Sequence, residues 1–279
     1  MQQLKISIFY ERSKWKLLLS RYVDRTIKDL KSDFSPLNFY IFISNHYSNC
    51  ITLVLESEFN SRAIQQQISP TINDFLTRLP STSRVTDFLN TPNNTYYFEI
   101  VNNKYIKGIT DDEFKNARAC LSTIILERFC REEVDDSSLF TLLIYLQLTV
   151  LKTSVQSTEE FVLDKEVWIK NYLDVSSLKF NDLLSEKEVK ALFLSNKSIL
   201  YEIYGQVNKN PIHRKLNWLT KWEEVCLDFF HARRDIADAR IALLNLINRH
   251  LGISDFKFYI CLNMLQHLSK QISVNKQRT

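Results

Sequence analysis

Apolar and polar positions alternate through Leu4, Ile6, Ile8 and Tyr10, which predicts a short strand over residues 1–10 with one face toward a core. The period then changes. Trp15, Leu18, Leu19, Tyr22, Ile27 and Leu30 recur at helical spacing, so residues 14–31 read as a helix with Ser13 as its N-cap. Pro36 breaks the chain, and two β-rich runs follow at 38–44 and 50–56. The five polar residues between them, from Asn45 to Asn49, make a hairpin signature. Residues 60–89 return to helical spacing, with Ile64, Ile68, Ile72, Phe75 and Leu79 directed toward a core. A turn at Thr91, Pro92, Asn93 and Asn94 leads into a strand over 95–101, and a helix runs from 111 through 128. Beyond Leu139 the pattern is helical, over 139–151, 158–173, 185–200, 216–230, 235–253 and 256–271. The expected fold class is α+β, with an antiparallel sheet and helices in the N-terminal half and a mostly helical C-terminal half. A single domain is expected over 1–279, its sheet-bearing part at about 1–135 and its helical part at about 136–279.

The helix over 235–253 carries the densest information. Ile236, Ala239, Leu243, Leu246 and Ile247 form its apolar stripe, and Gly252 stands where a left-handed residue would end it. Asn245 and Arg249 are four residues apart on the same cylinder, as are Arg240, Leu244 and Asn248. An Asn-Arg-His step inside so apolar a segment is either hydrogen-bonded or faces a cleft.

Composition narrows the function classes. The chain has 279 residues, enough to bury a substantial core, and 45% of them are hydrophobic, which excludes global disorder. Its three glycines (Gly108, Gly205 and Gly252) form no P-loop or dinucleotide fingerprint. A net charge of +4 without a basic stripe does not call for nucleic acid, although it would help to hold an acidic peptide. The N-terminus has no export signal, and no apolar run approaches the roughly 18 residues of a membrane span. Five scattered cysteines, with no Cys-x-x-Cys pair, read as reduced thiols in a cytoplasmic protein without structural zinc. Asp135 and Asp136 after Glu132 and Glu133 are a solvated acidic run. His213, Arg214 and Lys215 with Trp218 and Trp222 read as a packed helix face with charged edges.

The run Asn248-Arg249-His250-Leu251-Gly252-Ile253 resembles the end of the His-Met-x-x-Asn-Arg-x-x-Gly segment of the lantibiotic dehydratase glutamate-elimination domain family. Two further anchors agree in order. The Trp15 helix is followed by the Phe42-Ile43 strand and the strand over 51–55. Tyr96 and Glu99 then match the family's Tyr-x-x-Glu strand, with the helix over 111–128 behind it. The resemblance implies an enzyme whose histidine removes an α-proton and whose arginines hold the departing glutamate. Here Leu244 falls at the histidine position, Ser44 at one arginine position, and Ile51-Thr52-Leu53-Val54 replaces the arginine-bearing strand.

Relatives that lack those residues are the thiopeptide pyridine synthases. The resemblance therefore implies a macrocyclase that joins two dehydroalanines of a linear, azole-containing precursor by a formal aza-[4+2] cyclisation, losing water and the leader peptide. It implies no cofactor and no metal. The partner would be the modified precursor, leader plus dehydrated azole-bearing core, with no nucleic acid and no membrane; a homodimer is compatible with it. The alternatives are a glutamate-elimination subunit of a split dehydratase, with His250 and Arg240 displaced into the catalytic roles, and a non-catalytic precursor-binding subunit.

Moving a proton from an amide nitrogen to its oxygen calls for a Tyr, Glu, His or Arg in a cleft. Glu99 is a candidate relay with Tyr97 beside it, since alternation puts both on one strand face and Tyr96 on the other; the plainer reading of Glu99 is an edge carboxylate in water. Arg249 and Asn245 are candidates to hold a carbonyl oxygen, or else Arg249 anchors the helix to a carboxylate. His250 is a candidate acid for water loss, or a core histidine. Ser44, His46, Tyr105 and Arg240 are candidate substrate contacts. For His46, placement in a turn makes plain exposure the simpler account.

Overall fold

A strand whose every second residue is apolar has to lay one face on a core, and the sheet forms around such a strand. The computed structural model describes residues 2–44, 49–81, 91–102, 111–154 and 185–276. In it β1 (Gln2–Phe9) lies between β3 (Cys50–Ser57) and β4 (Thr95–Asn102), and β2 (Leu37–Ser44) pairs with β3. All pairs are antiparallel and the strand order is β2-β3-β1-β4. The register sets Ile41, Leu53, Ile6 and Phe98 in one row across the four strands. Ile41, Leu53 and Ile6 are at most 1% exposed, and burying each contributes about 1.5–3 kcal/mol. The α+β expectation holds.

Helices cover that apolar face. The indole of Trp15 donates to the Tyr10 carbonyl at 2.8 Å, and the Tyr10 hydroxyl donates to the Leu79 carbonyl, which ties the residue after β1 to two helical segments at once. The helix expected over 14–31 is not uniform. It consists of α1 (Trp15–Leu18), a π-helical turn (Leu19–Val23) and α2 (Asp24–Asp33). Helix α3 (Ser61–Arg78) is N-capped by Asn60, whose side chain accepts from Arg62 N at 2.9 Å, and it buries Ile64, Ile68, Ile72 and Phe75. Leu79 does not join them: the helix ends one residue earlier and leaves it 41% exposed. Phe75 packs against Tyr22, with ring centroids 5.2 Å apart.

Helix α4 (Lys115–Phe129) runs along β2, the strand at one edge of the sheet. The outward backbone groups of Ile41 are both satisfied there. Its N–H donates to Ser122 Oγ at 2.9 Å, and its carbonyl accepts from His250 Nδ1 at 2.8 Å. Gly252 sits beside the next outward group. At φ +57° it occupies the left-handed region, and a Cβ there would drive into the Ile43 carbonyl, whose carbon lies 2.6 Å from the Cβ position.

The chain divides into two compact units, one of Met1–Leu139 with Arg249–Gly252, the other of Phe140–Asn248 with Ile253–Thr279. The first contains the sheet. The second is helical in its described residues: most of α5 (Asp136–Ser154), then α6 (Glu186–Ser195), α7 (Lys197–Asn208), α8 (Asn217–His231), α9 (Ile236–Leu251) up to Asn248, and α10 (Asp255–Lys276). The helix expected over 185–200 is divided at Asn196, and the one expected over 158–173 lies outside the described residues. Leu142, Leu143, Ile144 and Leu146 are fully buried, as are Gln147 and Thr149, so the middle of α5 is buried on all sides. Trp222 donates to the Leu146 carbonyl at 3.2 Å, and Glu223 sits between Lys152 (2.6 Å) and Arg214. That pairing makes the basic-aromatic segment a packed helix face.

The two glycines among the described residues, Gly252 and Gly205, respond oppositely to alanine. Gly252→Ala is expected to destabilise the protein by about 1–3 kcal/mol through strain against β2. Gly205→Ala, in α7 with no atom within 4 Å of the new methyl group, is expected to stabilise by about 0.5–1 kcal/mol. Urea unfolding midpoints of both variants check this.

Candidate active site

The alternation that buries Leu4, Ile6 and Ile8 sends Gln3, Lys5, Ser7 and Phe9 to the opposite face of the sheet. The register extends each into a row. Lys5 stands between Val54 and Glu99, Ser7 between Thr52 and Tyr97, Gln3 between Glu56 and Val101, and Phe9 between Cys50 and Thr95. From β2 the same face receives Tyr40, Phe42 and Ser44.

This face is graded. Toward β2 and β3 its polar groups are buried and paired. The Tyr40 hydroxyl donates to Glu56 Oε2 at 2.9 Å, Gln3 Nε2 donates to Glu56 Oε1 at 3.0 Å, and the Arg118 guanidinium lies 5.7 Å from the Tyr40 ring. Burial pushes the Cys50 thiol up, which leaves it a poor nucleophile. Toward β4 the groups are accessible. Lys5 Nζ and Glu99 Oε2 are 3.1 Å apart, while between β1 and β3 the half-buried Ser7 and Thr52 hydroxyls are 3.4 Å apart. Tyr97 is 58% exposed and stacks edge-on against Phe9, with centroids 5.7 Å apart. A phenol, a carboxylate and an ammonium are thus presented side by side to solvent. Such a set can donate, accept and stabilise a moving proton.

The candidates read from the sequence divide on this geometry. Tyr97 and Glu99 share the accessible end of the face, and half-buried Ser44 lies on the same face at the end of β2. His250 also reaches it, stacked on Phe42 with centroids 4.2 Å apart, but it is fully buried. Burial, opposed by the hydrogen bond to Ile41 and assisted by nearby Arg118, pushes its pKa down to about 3. The acid role expected of His250 is therefore corrected: at neutral pH it is an uncharged imidazole that holds the edge of β2. Arg249, one residue earlier, is exposed and forms no ion pair among the described residues. Asn245 is half-buried within the helical unit. Arg240 is only 3% exposed, and its guanidinium donates to Ser154 Oγ at 2.8 Å and to the Ser154 carbonyl at 3.3 Å. It is buried against Ser154 of α5, so the substrate contact expected of it is corrected too. His46 and Tyr105 lie outside the described residues. Lys5, Ser7, Thr52, Tyr40, Glu56 and Arg118 were not singled out by the sequence. The alternation of β1 already placed Lys5 and Ser7 opposite the core, but their neighbours depend on the cross-strand register.

No family model and no curated protein matches the chain by sequence. Solved structures do match by shape. The pyridine synthase TbtD from thiomuracin biosynthesis superposes with a TM-score of 0.69 at 10% identity, over 98% of this chain and 99% of that one. The chain has the fold of that protein. TsrL matches over 99% of this chain and 96% of its own, with a TM-score of 0.59 and 9% identity. The tRNA-dependent lantibiotic dehydratase MibB from Microbispora sp. 107891 matches over 99% of this chain but 28% of its own length, with a TM-score of 0.59 and 11% identity. The fold expected from the three short sequence anchors is therefore the fold observed.

The buried imidazole gives a pH signature. Its folded pKa, about 3, lies below the ordinary 6.5, so from pH 6.5 downward the unfolded chain binds a proton that the native chain does not. Stability attributable to this group is complete above pH 6.5 and falls as pH drops toward 3, by up to about 1.4 kcal/mol per pH unit. His250→Asn retains a donor near the Nδ1 position and removes the titration. The pH dependence of its urea midpoint between pH 6 and 4 is expected to be shallower than that of the parent by about one proton.

Proposed function

We propose that this chain is a thiopeptide macrocyclase, a pyridine synthase acting on a linear, azole-containing precursor peptide that bears two dehydroalanines. The observation that carries this reading is the end-to-end likeness to a stand-alone pyridine synthase, 98% of one chain against 99% of the other. The reaction is redox-neutral. The amide N–H of one dehydroalanine shifts its proton to the carbonyl oxygen, and the resulting 2-azadiene forms two C–C bonds with the second alkene, one from its methylene carbon and one from the former carbonyl carbon, while the nitrogen stays within the ring. The hydroxyl leaves as water after taking up a proton. Loss of the leader as its carboxamide then aromatises the ring.

The demands of that sequence are positional first. Holding two alkenes of a flexible peptide together is worth up to about 7–11 kcal/mol, without any covalent help from the protein. The proton transfers fall to Tyr97 and to the Glu99–Lys5 pair in this reading. The phenol donates to the developing oxygen, and the carboxylate receives the amide proton while Lys5 holds it in place. Buried Tyr40 and Glu56, with half-buried Gln3, keep the neighbouring rows fixed and need not touch the peptide.

The elimination reading is weaker on this geometry. Where the resemblance would put the base stands Leu244, 1% exposed. Among the sheet residues on the polar face the cation is Lys5, already paired with Glu99. A purely binding role leaves the Tyr97, Glu99 and Lys5 grouping without use.

Mass spectrometry of two incubations tests the proposal. A leader-bearing azole peptide with two dehydroalanines is expected to give free leader carboxamide and a macrocycle reduced by one water. A glutamylated Ser peptide is expected to remain unchanged; loss of glutamate from it would establish elimination instead. Binding of either peptide without conversion would make the chain a precursor-binding subunit. Glu99→Gln and Tyr97→Phe are each expected to lower the single-turnover cyclisation rate by about 10²-fold while leaving peptide affinity near that of the parent.

A further inference from the structure

The sheet finishes its two edges in opposite ways. At β2 the outward N–H and C=O of Ile41 are taken by Ser122 and His250. At β4 no further strand pairs on the far side among the described residues. Antiparallel partners alternate between pairs that bond each other and pairs that turn their backbone groups away. Ile41 turns away from Leu53, so Leu53 and Ile6 bond each other, and Phe98, opposite Ile6, points its groups outward. The Phe9 carbonyl agrees with this phase, since it faces β4 and accepts from Asn94 N at 2.7 Å. Tyr96 and Ile100 share the phase of Phe98. The outward N–H and C=O groups of Tyr96, Phe98 and Ile100 have no partner among the described residues.

Exposed edges carry protections that β4 lacks. Its eight residues include no proline and no lysine. The one charge, Glu99, is held by Lys5 of the same sheet. Tyr97 and Ile100 are 58% and 39% exposed, and Tyr96 and Phe98 are half-buried. Such a strand is suited to pairing with another. Its sequence also complements itself. An antiparallel copy centred on Phe98 sets Tyr96 opposite Ile100 and Tyr97 opposite Glu99, in both directions. Tyr96, Phe98 and Ile100 then each exchange both backbone bonds with a residue of the copy. Centring on Glu99 opposes two carboxylates. Centring on Tyr97 leaves Ile100 facing Asn94, whose N–H is already given to Phe9. An azole-bearing peptide is a poorer occupant, because each azole has replaced an amide N–H that the ladder requires.

We infer that two copies of this chain pair β4 to β4 about Phe98, and that Tyr97 of each copy serves Glu99 of the other. Along one strand the Cα atoms of Tyr97 and Glu99 are about 7 Å apart. Facing residues that exchange no ladder bonds approach to about 4.5 Å between Cα atoms, with their side chains closer still. Tyr97 and Glu99 of different copies form such a pair. The phenol and the carboxylate that handle the proton thus come from two chains, with Lys5 beside the carboxylate. The pairing rests on the strand alone, and the use of Tyr97 across it rests on the pyridine synthase reading.

Sedimentation of the full chain is expected to show a dimer. Ile100→Pro removes an outward N–H and is expected to raise the dissociation constant about tenfold or more, whereas Ile100→Thr keeps the N–H and stays dimeric. Unchanged circular dichroism and melting of both variants exclude misfolding as the cause. Under mild oxidation Phe98→Cys is expected to cross-link to its own copy, since the facing Cα atoms lie about 5.5 Å apart. Tyr96→Cys, four positions out of register with itself, and the parent are expected not to. A monomer overturns the inference, and one whose affinity for the precursor falls with Ile100→Pro assigns the edge to the peptide instead. A dimer indifferent to Ile100→Pro, or one in which Tyr96→Cys cross-links as readily as Phe98→Cys, overturns it too. Mixing Tyr97→Phe with Glu99→Gln is expected to restore about a quarter of the parent cyclisation rate, because about half of randomly mixed dimers carry one intact site of two. Absence of that recovery overturns the shared site. Failure of the parent to cyclise removes the synthase reading alone, and the dimer still stands or falls on sedimentation and cross-linking.

Discussion

An open sheet edge exposes a row of unpaired N–H and C=O groups, and this sheet has to close one beside its own core. Ile41 is where that closure is made. Its side chain is fully buried between the strands and the helices, while its two outward backbone groups are taken by Ser122 from α4 and by His250 from the last turn of α9. A segment more than two hundred positions away in the chain thereby completes the sheet-bearing unit. Gly252 belongs to the same closure, because only a residue without a side chain can lie against the Ile43 carbonyl.

That closure explains why the Asn-Arg-His step was legible as important while the part His250 plays in it was not. A polar step in an apolar helix must be hydrogen-bonded or face a cleft, and the sequence leaves both open. For His250 the first holds. Its partner is a backbone carbonyl, which has no signature in any pattern of side chains. Arg240 was misjudged for the same reason: its acceptors include the backbone carbonyl of Ser154 in α5, eighty-six residues earlier. The strands, by contrast, were readable from period alone, since alternation decides at once which residues are core and which share the other face. Tyr97 and Glu99 were placed together on that basis and do lie together. Lys5 was visible as a polar position in β1, but its pairing with Glu99 comes from a register that no local rule supplies.

The interruption of the first helix was also beyond the pattern. Apolar spacing from Trp15 to Leu30 suits a helix in either form, and a π turn shifts the phase by about one residue without disturbing the average period. Pro70 was visible in the sequence, yet the buried residues on either side keep α3 helical around it.

The sheet assigns its two faces to unrelated tasks. The apolar core sits on one side, in the rows built from Ile6, Leu53 and Ile41, and the other side is buried only toward β2 and β3. Side chains at the accessible end of the opposite side, near β4, can be exchanged one strand position at a time without a change in core volume. An arginine becoming a serine or a threonine there alters what the surface can do and leaves the scaffold intact. Drift in such an architecture erodes resemblance in letters long before it erodes shape. An identity of 10% alongside end-to-end superposition shows how far one fold accommodates different letters.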